Sequence, residues 1–116
     1  MDALFEALLD LAKRRGVQPH VVSLSARFPR RPWLASIGGF HVHTRHGSYI
    51  FVNPDSPAAR RAFVLAHELG HYCLHRGIDQ VQYDACGAYH DEREEEANHF
   101  AQHLLWLVGR RVKTVA

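Results

Sequence analysis

Cysteine is nearly absent: the 116-residue chain has two, Cys73 and Cys86. Two residues cannot build the disulfide framework on which small secreted domains depend. Both are expected as reduced thiols, with Cys86 a candidate extra donor to any nearby metal. Also missing is any apolar run near the roughly 18–20 residues that span a bilayer. The first residues, Met1-Asp2-Ala3-Leu4-Phe5-Glu6, place acids inside their apolar stretch and carry no basic leader, unlike a secretory signal. Nor does one sign of charge dominate, since the formal net charge is +2. Arginine pairs at Arg30-Arg31, Arg60-Arg61 and Arg110-Arg111 lack the clustering and aromatic interleaving of a nucleic-acid surface. These absences predict a cytoplasmic protein with no membrane segment and no direct nucleic-acid binding.

What is present is an ordinary globular composition, 47% hydrophobic and 22% charged. A chain of this length makes one domain, taken as residues 1–116, with a modest core.

Asp2 to Arg15 has the spacing of an amphipathic helix through Leu4, Leu8, Leu11 and Ala12, and Gly16 is a suitable stop. His20 to Leu24 is short and β-branched, which predicts a strand. Arg27 to Pro32 is expected as loop, because its prolines interrupt both kinds of ladder. Ser36 to Thr44 and Ser48 to Val52 read as an antiparallel hairpin turning at Arg45-His46-Gly47. Ser56-Pro57 is a good helix start, with the helix reaching about His75 before Gly77. A polar loop containing Gly87 then leads to Asp91, a capping residue. The apolar spacing of Ala97, Phe100, Ala101, Leu104, Leu105 and Val108 predicts a last helix as far as Gly109. The expected fold is α+β, a small antiparallel sheet packed with two helices that carry the functional residues.

The chemistry concentrates in His67-Glu68-Leu69-Gly70-His71. Residues four apart share a helix face, so His67 and His71 can grip one ion. Glu68, beside the first ligand, can reach water on that ion without chelating it. Two histidines and an adjacent glutamate as general base is the arrangement of zinc-dependent peptide hydrolases.

A catalytic zinc site takes three protein ligands and an open position. A histidine six residues beyond the second ligand is excluded, since Gly77 stands there. His75 shares the face of His71, but a straight helix cannot wrap three turns around one ion; it is expected to support the ligands or to pack at the helix end. The acids Glu92, Glu94, Glu95 and Glu96 remain. At about 100° per residue, Glu94 falls close to the apolar stripe of its helix and Glu95 opposite it. Acids in a first turn also complement the helix dipole, and Asp91 with Glu94 has capping-box spacing. The metal motif upstream and the inward phase favour Glu94 as third ligand. Asn98, one turn later, is expected to hydrogen-bond a ligand imidazole.

With these residues assembled, the chain resembles the ImmA/IrrE family of metallopeptidases. The matching elements are Phe63 to His75, Glu94-Glu95-Glu96-Ala97-Asn98-His99-Phe100-Ala101, and a hairpin ending Ile50-Phe51-Val52-Asn53. The resemblance implies a thermolysin-like, gluzincin zinc fold with His67, His71 and Glu94 as ligands and Glu68 as base. It also implies cleavage or inactivation of a helix-turn-helix repressor or antitoxin, releasing the genes that regulator controls.

Zinc suits two histidines and a glutamate best, with manganese the alternative ion. Tyr89, His90, His99 and His103 are candidates to stabilise an oxyanion. The strand edge Phe40 to Thr44 could hold an extended substrate by strand addition. His41 and His43, on one face of that strand, are expected to face solvent rather than to form a second metal site. The rival functional reading is a non-proteolytic, zinc-containing anti-repressor that sequesters its partner.

Overall fold

The protein is described by a computed structural model covering residues 2–75, 81–84 and 92–115, without the side chains of residues 75, 81–84 and 113–115. Its elements, in chain order, are α1 (Ala3–Arg14), β1 (Val17–Val21), a short α2 (Leu24–Arg27), a 3-10 turn (Pro32–Ser36), β2 (Gly39–Thr44), β3 (Gly47–Val52), α3 (Ala58–His75), β4 (Val81–Asp84) and α4 (Glu92–Val115).

Local chemistry sets the boundaries of the first helix. The Asp2 carboxylate accepts from the backbone N–H of Leu4 at 3.1 Å and of Phe5 at 3.3 Å, capping the start of α1. Gly16, at φ +85°, turns the chain out of the helix in the left-handed region that glycine tolerates. The apolar stripe then buries Phe5, Leu8 and Ala12 against Val17, Ile50, Val52, Ala62, Leu65 and Leu69, which form one core.

The strands lie in the order β1-β3-β2-β4. β2 and β3 form the expected antiparallel hairpin, with His41 opposite Ile50 and Phe40 opposite Phe51. β1 pairs with β3 in parallel, so the sheet is mixed. The first strand lies earlier than expected and includes Pro19, which an edge strand can accommodate because one side of its ladder is unpaired. Leu24, expected in that strand, instead opens α2, capped by the Ser23 hydroxyl accepting from Ala26 N–H at 3.3 Å.

β4, within a segment read as loop, pairs antiparallel with β2 from Gly39 to Val42. That pairing corrects one expectation. Phe40 to Val42 lies between two neighbouring strands and is no free edge, so it cannot receive a substrate by strand addition.

Asn53 ties the end of the hairpin to the start of α3. It is 4% exposed; its side-chain amide donates to the carbonyls of Ala35 and Ile37 at 3.1 and 3.2 Å, and its Oδ1 accepts from Asp55 N–H at 2.9 Å. A buried side chain so fully bonded fixes the angle at which α3 leaves the sheet. α4 crosses α3 and continues past Gly109 to Val115, beyond its expected end. Among the described residues, no helix is long and apolar enough to cross a membrane.

Candidate metal centre

α3 carries His67, Glu68 and His71 in its buried middle, at 2%, 0% and 0% exposure. Burial of three polar side chains within five residues is costly unless each finds a partner. The partners come from two other elements.

α4 supplies Glu94, which is 5% exposed, whereas Glu95 and Glu96 are exposed, in agreement with the helical phase. Its Oε2 lies 2.9 Å from His67 Nε2 and its Oε1 lies 3.1 Å from His71 Nε2. The two Nε2 atoms are themselves 3.1 Å apart. One donor atom from each of the three residues falls within a 4.8 Å group.

Hydrogen bonding alone cannot satisfy this triangle. Each imidazole Nε2 offers one hydrogen or one lone pair, hence one strong bond. The three close contacts ask for two at each nitrogen. A single cation in the middle would satisfy all three donors at once. The donor set, two imidazoles and a carboxylate, suits a divalent transition ion, and the edges of a tetrahedron with bonds of about 2.0–2.1 Å are near the spacings observed. The residues present therefore fit a metal.

The carboxyl of Glu94 is buried, which would raise its pKa, but its bonds to His67 and His71 outweigh burial and hold it well below the usual carboxylate range. Glu68 behaves oppositely. Complete burial pushes its carboxyl above the ordinary value of 4.5, against a smaller opposing pull from His41 and the neighbouring imidazoles.

β2 supplies the second partner. His41 Nδ1 lies 2.7 Å from Glu68 Oε1, and His41 is 8% exposed. This is a second correction, because His41 was expected to face solvent. Its cross-strand partner Ile50 is 1% exposed, and directly paired residues share a face. Tyr49 and Phe51 make the other face of β3 look as apolar as the one bearing Ile50, so alternation did not reveal which side was inward. His43 points to Ser48 instead, with Nδ1 and Oγ at 2.5 Å.

The remaining candidates divide. Asn98 is half-buried on α4 and makes no hydrogen bond to a ligand imidazole among the described residues. His99 and His103 are exposed, and His103 stacks on Trp106 at 6.2 Å, so neither enters the buried cluster. Cys73 is exposed. Tyr89, His90, Cys86, Asp91 and the side chain of His75 lie outside the described residues.

Comparison with known proteins bears on the same stretch. Residues 30–106 match the family described as the IrrE N-terminal-like domain, a peptidase family. The chain belongs to the ImmA/IrrE peptidase family. The family match takes in β2, β3, α3 and the start of α4 with Glu94, the elements that bring the cluster together. The chain is also similar to an uncharacterized immunity region protein of Bacillus phage phi105, with 36% identity over 89 residues. That alignment covers 72% of this chain and 56% of the phage protein, so the chain spans a little over half the length of that relative.

Proposed function

We propose that this protein is a zinc-dependent endopeptidase that acts on a transcriptional regulator. The observation that carries the reading is the convergence of His67, His71 and Glu94 next to a buried Glu68 whose Oε2 has no hydrogen-bond partner among the described residues. His67 Nε2, His71 Nε2 and the Glu94 carboxylate would hold the ion. When bound, zinc polarises a scissile carbonyl and lowers the pKa of its water.

The chain's own residues do the rest. Glu68 accepts the water proton at Oε2, the oxygen left open, and delivers it to the leaving amine nitrogen as the C–N bond breaks. Glu94, held ionised by His67 and His71, keeps its negative charge on the ligand side.

The phage relative, described as an uncharacterized immunity region protein, supports a transcriptional regulator as the substrate. A helix-turn-helix repressor or antitoxin, met in the cytoplasm, is the proposed substrate, and its cleavage would release the genes it represses. The test is incubation of zinc-loaded protein with purified helix-turn-helix repressors and antitoxins. The expected result is chelator-sensitive cleavage with wild type and none with Glu68→Gln, which keeps its metal. Loss of the repressor's DNA binding without cleavage, equally by both proteins, would replace the peptidase with a sequestering anti-repressor.

A further inference from the structure

Glu68 is fully buried, and its two oxygens are treated differently by the fold. Oε1 meets His41 Nδ1 at 2.7 Å, while Oε2 is buried without a hydrogen-bond partner among the described residues. An ionised carboxylate only accepts hydrogen bonds, so opposite an ionised Glu68 the ring hydrogen of His41 sits on Nδ1. The histidine is itself held on three sides. It stands on β2 between β3 and β4, and its ring stacks on that of His71 at 5.2 Å and 29°.

We propose that His41 is a positioning residue: by donating Nδ1–H to Oε1 it fixes the plane of the Glu68 carboxylate and reserves Oε2 for the proton of the attacking water. The final side-chain torsion of a glutamate is broad and roughly two-fold, so a carboxylate without such an anchor can rotate and exchange its oxygens. A central strand is a stiffer mount than a loop for the group that prevents this. His41 touches neither substrate nor ion in this scheme, and its effect passes through Glu68. The catalytic consequence rests on the peptidase reading, whereas the hydrogen bond does not.

Two measurements separate those layers. The first is a long-range proton–nitrogen NMR spectrum of the 15N-labelled protein, metal-free and zinc-loaded, with His41 assigned by its loss in His41→Asn. The Nδ1–H form should be present in both states, and its signal should move in Glu68→Gln. A His41 protonated on Nε2 alone would overturn the proposal whether or not any peptide is cut. The second is turnover of a quenched fluorescent peptide library by zinc-loaded wild type, His41→Leu and His41→Asn. Leucine removes the donor, and kcat should fall roughly 100-fold, the scale of a misplaced reacting group, with KM and zinc content held. Asparagine restores an N–H near the Nδ1 position and should recover at least a tenth of wild-type kcat. Equal losses in both variants at equal zinc content would make His41 merely structural. A wild type that cuts no peptide would remove the peptidase reading, while the NMR result still decides the hydrogen bond.

Discussion

Gly70 and Ala97 meet where α3 crosses α4, so closely that a Cβ on Gly70 would lie 3.2 Å from both the Cα and the carbonyl oxygen of Ala97 and 3.1 Å from Phe100 Cδ1. Gly70 is one residue before His71, and Ala97 is one turn after Glu94. The closeness of the two helices therefore sets how far the Glu94 carboxylate reaches toward the two imidazoles.

Gly70→Ala should push the helices apart by a few tenths of an ångström. Overpacking costs about 1–3 kcal/mol, partly offset by about 1 kcal/mol of improved helix propensity, for a net loss near 1 kcal/mol. Zinc affinity should fall as well, because Glu94 retreats. Thermal melts with and without zinc check both, and the ion should stabilise the variant less than it does wild type.

Much of this centre could be read from one-dimensional spacing. The four-residue step from His67 to His71 and the inward phase of Glu94 are properties of a helix, which repeats locally. Gly16 ended α1 for an equally local reason. The misreadings in the sheet and at His41 involve partners distant in sequence. Val81–Asp84 has too few residues to show alternation, and it is a strand because β2 offers it an edge. Pro19 fits within β1 because that strand lies at the sheet edge. His41 took its meaning from Ile50 across the hairpin and from Glu68, 27 residues away.

A second close approach seats β2 on α3. A Cβ at Gly39 would come within 2.5 Å of Val64 Cγ1 and 2.6 Å of the Phe51 carbonyl oxygen. The second contact is with backbone and cannot relax by rotating a side chain. Gly39→Ala should cost more than Gly70→Ala, about 2–3 kcal/mol, the upper part of the overpacking range. Chemical denaturation measures it. His41, two residues along the same strand, should lose its contact with Glu68, seen as a change in its NMR tautomer.

The metal-free protein should become more stable when Glu68 is replaced by glutamine. Burial raises the folded-state pKa of Glu68 above the ordinary 4.5, so its favourable contribution is complete below that value and is lost as pH rises through the folded value. Glutamine keeps an oxygen for His41 and carries no charge. Its advantage in Tm should therefore be present at pH 7 and disappear below about pH 4.5. Glu94 has the opposite sign: its lowered pKa contributes stability above the ordinary carboxylate range that is lost as pH falls through the folded value. In Glu68→Gln the remaining acid-side loss should come from Glu94, and a melt series across pH separates the two.

Zinc should stabilise the folded chain by mass action. An ion present at about a thousand times its dissociation constant adds about 4 kcal/mol, and chelator should reverse that gain completely. Glu94→Gln should weaken the ion by at least the roughly 10–100-fold typical of losing an outer partner, since here a direct donor is lost. Competition with a chromogenic chelator gives the number.

X-ray absorption at the zinc edge, combined with metal content, tests the central assignment most directly. The prediction is one zinc per chain, with an all nitrogen-and-oxygen shell showing two imidazoles, and loss of the ion on His67→Ala, His71→Ala or Glu94→Ala. Sulfur in the shell, or zinc that survives those three replacements, would contradict a centre built from His67, His71 and Glu94.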